Sequence, residues 1–87
     1  MKSTMLPSFW SKYRKLSDLV KVAARKGYHL WAENPFHPSL HFKCINSKEA
    51  IWSVRVTRSH RALGVLEHDT VTWFWIGDRN EYEKFYS

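Results

Sequence analysis

Cysteine is nearly missing from this chain: Cys44 stands alone among 87 residues. One thiol can neither close an internal disulfide nor complete a thiolate metal site, so a reducing compartment, the cytoplasm, is the expected setting. Long apolar runs are missing too. None approaches the ~20 residues a membrane helix needs, and the opening MKSTMLPSFW has too little apolar sequence for a signal peptide. A soluble protein is expected. With only three glycines and three prolines, neither disorder nor a low-complexity segment is expected. The 44% hydrophobic residues, five tryptophans among them, are enough to fold without staples. Acidic residues are in short supply: eight Asp and Glu face fourteen Lys and Arg, a net charge of +6. Such a surplus draws polyanions at long range and points to nucleic acid, although an acidic protein partner or a charged surface kept for solubility would also call for it.

A chain of this length forms one domain, residues 1–87, with room for one sheet and a helix pair. Pro7 suits a first helical turn, and Phe9, Tyr13 and Leu16 follow at helical spacing. Ser17 and Asp18 then cap a second helix, with Leu19, Val20, Ala23, Ala24, Gly27, Leu30 and Trp31 as its apolar stripe. Pro35 ends it near Asn34. Beyond Pro38 the period changes to two. LHFKCI, IWSVRVT, RALGVL and TVTWFWI read as four antiparallel strands, so the expected class is α+β: an N-terminal helix hairpin on a four-stranded antiparallel sheet, with a short C-terminal helix or tail. In the second strand Trp52, Val54 and Val56 face the helices, while Ser53, Arg55 and Thr57 face the other way and make that side polar. Trp73 and Trp75 share a parity, and with Trp31 and Trp52 they are expected in the core; Trp10 is the least constrained.

Arg55, Arg58 and Arg61 recur every three residues through otherwise strand-like sequence, on or beside that polar face. Arginine carries a planar donor fork that binds two phosphate oxygens and stays charged at any physiological pH. His41, Lys43 and His60 are titratable neighbours. The proline between His37 and His41 breaks helical ligand spacing and no third ligand is apparent, so metal binding is not expected.

Three blocks, NPFHPSLHFK, WSVRVTRSHRALG and WFWIGDRNEY, together resemble the RelE/ParE toxin superfamily of bacterial toxin–antitoxin systems, in the branch labelled plasmid stabilisation protein or translational repressor. The similarity runs from Pro7 to Tyr86 and keeps the family order of helix hairpin, then sheet. It implies a metal-independent, cofactor-free endoribonuclease that cuts mRNA on the ribosome and inhibits translation. In such a reaction the ribose 2′-hydroxyl attacks the adjacent phosphate, leaving a 2′,3′-cyclic phosphate and a 5′-hydroxyl. Arg61 matches the arginine that contacts the scissile phosphate, Arg55 a second arginine of the block, and Tyr82 the family tyrosine. Tyr82 can stack on a base or bind phosphate, or simply pack on the sheet beside Phe85. Arg58 reads as a backbone contact, with His41 and His60 as further RNA-binding candidates. Lys43 is the better match for the proton acceptor, because some relatives use lysines in this region.

One position departs from the family pattern. Many relatives have a histidine acid where GDRNEY has Arg79, which can stabilise a leaving oxygen but is a poor proton donor. The resemblance therefore also admits a gyrase-inhibiting toxin or a catalytically inactive, partner-binding member. Its implied partners are a cognate antitoxin, the ribosome and mRNA. The antitoxin is expected to cover or distort the Arg55, Arg61 and Arg79 region, and DNA operators to be bound only through the antitoxin complex.

Overall fold

The computed structural model describes the backbone of residues 1–86 and the side chains of residues 1–84. Strand β1 (Lys2–Met5) leads into helices α1 (Pro7–Tyr13) and α2 (Asp18–Glu33) and a 3-10 turn (Pro38–Leu40). Strands β2 (Lys43–Asn46), β3 (Ile51–Thr57), β4 (His60–Glu67) and β5 (Thr70–Asp78) follow, then helix α3 (Arg79–Tyr86). The class is α+β, as expected.

Pro7 occupies the first turn of α1, and the chain then tightens through Arg14 to Leu16 instead of continuing the helix to Leu16. Ser17 caps α2, its hydroxyl accepting from the Val20 N–H at 3.3 Å. The stripe of α2 is narrower than its sequence suggests: Leu19 is 85% exposed, whereas Trp31 is only 2% exposed. Helix α1 lies on β5 and α2 on β3, leaving between them a cavity of about 380 Å³ floored by Val54, Ala62 and Trp73. No helix among the described residues is long and apolar enough to cross a membrane.

The sheet has five strands, ordered β1-β5-β4-β3-β2. The addition to the expected four is β1, which runs parallel to β5 from Lys2↔Thr70 to Met5↔Trp73. Four residues with one apolar side chain among them are too few to show a period, and the Leu6 N–H bond to the Trp73 carbonyl (2.9 Å) extends the pairing.

The face away from α1 and α2 is not the polar surface the sequence led us to expect. Ile51, Leu63 and Trp75 form a second buried cluster there, with Ile45, Val65, Phe74 and Tyr82 packed against it. Ile51 and Leu63 reach that face by the same parity as Arg55 and Arg61, and a bulge brings Trp75 to join them. Leu63 pairs with Trp75 but Gly64 pairs with Trp73, so Phe74 is an extra residue on β5 and the parity of the strand is reset. Trp73 consequently faces the helices with Trp31 and Phe42, and Trp75 faces the other way.

Gly64 sits between two tryptophans in one cross-strand row, Trp52–Gly64–Trp73. A Cβ there would lie 2.5 Å from Val71 Cγ1 and 2.9 Å from Trp73 Cε3. Gly64→Ala is expected to lower stability by about 1–3 kcal/mol in urea unfolding, the usual cost of overpacking a core. An unchanged midpoint would mean that Trp73 and Val71 give way freely.

Candidate phosphate-binding site

Strand register sets the site. Arg55 pairs with Arg61 across β3 and β4, and Arg61 pairs with Gly77 across β5, so the two arginines lie side by side on the Trp75 face in a row that ends in bare backbone. The Trp75 ring fills the space above Gly77, coming within 2.6 Å of where a Cβ would stand. Lys43 pairs with Ser53 one step along β3 and so belongs to the same face, where it is exposed.

Arg61 is fixed by the β3–β4 turn. Its Nη1 donates to the carbonyls of Thr57 (3.1 Å) and His60 (3.2 Å). Thr57 organises that turn: its hydroxyl accepts from the Ser59 N–H at 3.1 Å and lies 3.0 Å from His60 Nδ1. The next carbonyl, Ser59, accepts from the Arg79 N–H at 2.7 Å and ties the first residue of α3 to the same turn. Asp78 caps that helix, its Oδ1 accepting from the Glu81 N–H at 3.0 Å. Arg79 is further held by Glu83, Nε to Oε1 at 3.2 Å, in an exposed pair of little intrinsic strength.

Three guanidinium groups therefore share one end of the sheet. Burial lowers the pKa of Arg61, and the positive charges of Arg79 and Arg55 push it down further, while Tyr82 pulls the other way. Among the described residues no carboxylate pairs with Arg55 or Arg61. Arg55 and Arg61, cations without a carboxylate partner among the described residues, make this a candidate anion site, and planar guanidinium forks suit a phosphate.

The other sequence candidates fall around this centre. Tyr82 is half-buried on α3, packed on the Ile51–Leu63–Trp75 cluster and within electrostatic reach of Arg61, so it has both a packing and a site position. The Phe85 side chain lies outside the described residues. Arg58 is exposed on the β3–β4 turn. His60 has the strand parity of Ala62, opposite to that of Arg61, and its ring is engaged with Thr57. His41 lies before β2, its Nε2 3.4 Å from Arg55 Nη1. Among the described residues no three His, Cys, Asp or Glu side chains gather as metal ligands.

Sequence reasoning missed Thr57, Gly77 and Glu83. Thr57 had a signal in TRSH, since a hydroxyl at the start of a turn commonly bonds the backbone two residues on. Gly77 and Glu83 had none without the register and the helix.

If this end of the sheet is an anion site, sulfate at fixed ionic strength should stabilise the protein by about 1 kcal/mol, roughly 4–8 °C in Tm, once it exceeds its dissociation constant several-fold. Arg61→Ala should lose that increment. Equal sulfate stabilisation in both proteins would place the anion elsewhere.

The fold recurs in known toxins. A RelB–RelE antitoxin–toxin complex from Methanococcus jannaschii superposes with a TM-score of 0.75 at 10% identity, covering 95% of this chain and 98% of the matched one. The YoeB/ParE toxin from Agrobacterium tumefaciens gives 0.70 at 15% identity over 91% and 99%. The toxin–antitoxin complex RelBE2 from Mycobacterium tuberculosis gives 0.70 at 16% over 90% and 96%. A comparison with curated proteins gives no match. In sequence, the family model of the ParE-like toxin domain matches residues 19–84, from α2 through the strands to α3. With that match spanning most of the chain and the solved toxins sharing its fold, the chain belongs to the ParE-like toxin domain family, within the RelE/ParE superfamily.

Proposed function

We propose that the protein is the toxin of a toxin–antitoxin pair and cleaves mRNA on the ribosome without a metal. The observation that carries this reading is the convergence of Arg55, Arg61 and Arg79 at one end of the sheet, with no carboxylate on the first two among the described residues. The structural neighbours solved with antitoxins support a cognate antitoxin as partner.

The chemistry follows from charge. As the 2′-oxygen bonds to phosphorus and the bond to the 5′-oxygen breaks, negative charge builds on the non-bridging oxygens and on the leaving oxygen. Arg61 and Arg55 face the first, and Arg79, held at the start of α3, serves the second. Lys43, on the same sheet face, is the proposed acceptor of the 2′-hydroxyl proton. Tyr82 lies beside Arg61 to contact phosphate or base. A proton must still reach the 5′-oxygen, and with Arg79 in place of an imidazole it comes from water ordered by the arginines. The ribosome holds the 2′-hydroxyl in line with its phosphate, which a small open site cannot do alone.

Arg79 also favours a second reading, binding without cleavage, with gyrase as the alternative target. Arg61→Ala should reduce cleavage of ribosome-bound mRNA on the order of 10²–10³-fold, as for loss of one transition-state donor. Arg79→His should add an acid limb to the pH–rate profile that the native protein lacks. Purified toxin that leaves ribosome-bound mRNA intact from pH 6 to 9 but blocks gyrase would transfer the proposal to the second reading.

A further inference from the structure

His41 has a backbone conformation that few non-glycine residues adopt. Among the described residues it is one of three non-glycine residues with positive φ, at φ 47 and ψ 42, in the left-handed region that glycine occupies far more readily. The surrounding chain enforces this conformation. Leu40 and Phe42 on either side are both buried, which pins the ends of the turn in the core. Upstream, His37 Nδ1 accepts from the Ser39 N–H at 3.2 Å and lies 2.8 Å from the Ser39 hydroxyl, and the His41 N–H bonds back to the Pro38 carbonyl at 3.4 Å. Strained positions that their surroundings hold in place concentrate at functional sites.

The turn delivers the His41 ring to Arg55. Nε2 lies 3.4 Å from Arg55 Nη1, a long hydrogen bond in which the guanidinium, having no acceptor, donates and the imidazole nitrogen accepts. Arg55 has no carboxylate partner among the described residues, and its cross-strand neighbour is another cation, Arg61. A long side chain repelled by its neighbour swings away unless something holds it. Arg61 is held by two backbone carbonyls; the one hydrogen bond described for the Arg55 side chain is to His41.

We infer that His41 is a positioning residue for Arg55: the left-handed turn at 41 presents a neutral acceptor that fixes the Arg55 fork beside Arg61 without neutralising it. A carboxylate in its place would hold Arg55 more tightly but would compete with the phosphate, whereas an imidazole orients the charge and leaves it available. The inference rests on the proposed phosphate site and assigns His41 a role apart from direct RNA contact.

Two substitutions separate position from backbone. His41→Gly keeps the left-handed turn and deletes the ring, and His41→Gln returns an acceptor oxygen at about the reach of Nε2. The first readout is the Arg55 guanidinium NMR resonance in the free protein. It should be distinct in the native chain, collapse toward that of a freely rotating side chain in His41→Gly, and recover in His41→Gln, with all three proteins folded by Tm. The second is cleavage of ribosome-bound mRNA, where kcat/KM should fall about threefold to tenfold in His41→Gly and recover at least in part in His41→Gln. In an Arg55→Ala background the His41→Gly change should have no effect, since the coupling runs through Arg55. An Arg55 resonance indifferent to His41, or a His41→Gly loss of the same size without Arg55, would overturn the inference. If even the native protein cleaves nothing, the nuclease reading fails while the resonance still decides the role of His41.

Discussion

Holding Arg55, Arg61 and Arg79 together against their mutual repulsion is the demand on which the rest of the structure depends. Like charges brought close destabilise a fold unless each is tethered separately, and each of the three has its own tether. Arg61 donates to two carbonyls of the β3–β4 turn. Arg79 is anchored through its backbone to the Ser59 carbonyl and through its side chain to Glu83. Arg55 reaches His41. One of these tethers is a carboxylate, and it lies on the solvent side of α3, so most of the positive charge stays available to a ligand. The expected result is a fold that gives up some stability for a site poised to bind an anion.

The bulge at Phe74 makes the arrangement possible. Without it, Trp73 and Trp75 would share the helix face, and the cluster around Ile51 and Leu63 would lack its tryptophan. With it, Trp75 turns outward, covers Gly77 and joins the cluster against which Tyr82 packs. The same face thus becomes an apolar floor beneath a row of cations, and α3 gains a surface to rest on. A ladder irregularity of one residue therefore controls both where the C-terminal helix packs and what stands beside Arg61.

Much of the architecture was legible in the sequence because its signals were local. Pro7, Ser17 and Pro35 mark where helices start and stop, and the alternation in IWSVRVT and RALGVL marks strands. The polar-face position of Arg55 followed from the same alternation, but its pairing with Arg61 did not: Thr57 pairs with His60, and a register shift between Arg55 and Thr57 brings Arg55, not Val56, opposite Arg61. What escaped depended on distant partners. Strand β1 has too little pattern of its own and exists because β5 offers an unpaired edge. The outward turn of Trp75 depends on a register shift against β4, so a strict period of two predicted the wrong face. The left-handed turn at His41 is imposed by buried neighbours, and nothing in SLHF marks it. Resemblance to a family supplied the roles for Arg61, Arg79 and Tyr82; periodicity alone supplied only positions.

The arginine row on the Trp75 face is the proposed holder of the RNA phosphate, in preference to Lys21, Arg25 and Lys26, the basic side chains of α2. The direct measurement is NMR titration of the free protein with a short RNA bearing a 2′-O-methyl group, which binds but cannot be cleaved. The account predicts that the guanidinium resonances of Arg55, Arg61 and Arg79 shift together and saturate at one affinity while Lys21, Arg25 and Lys26 stay in place. Saturable shifts confined to the α2 residues, with the arginine row unmoved, would contradict it.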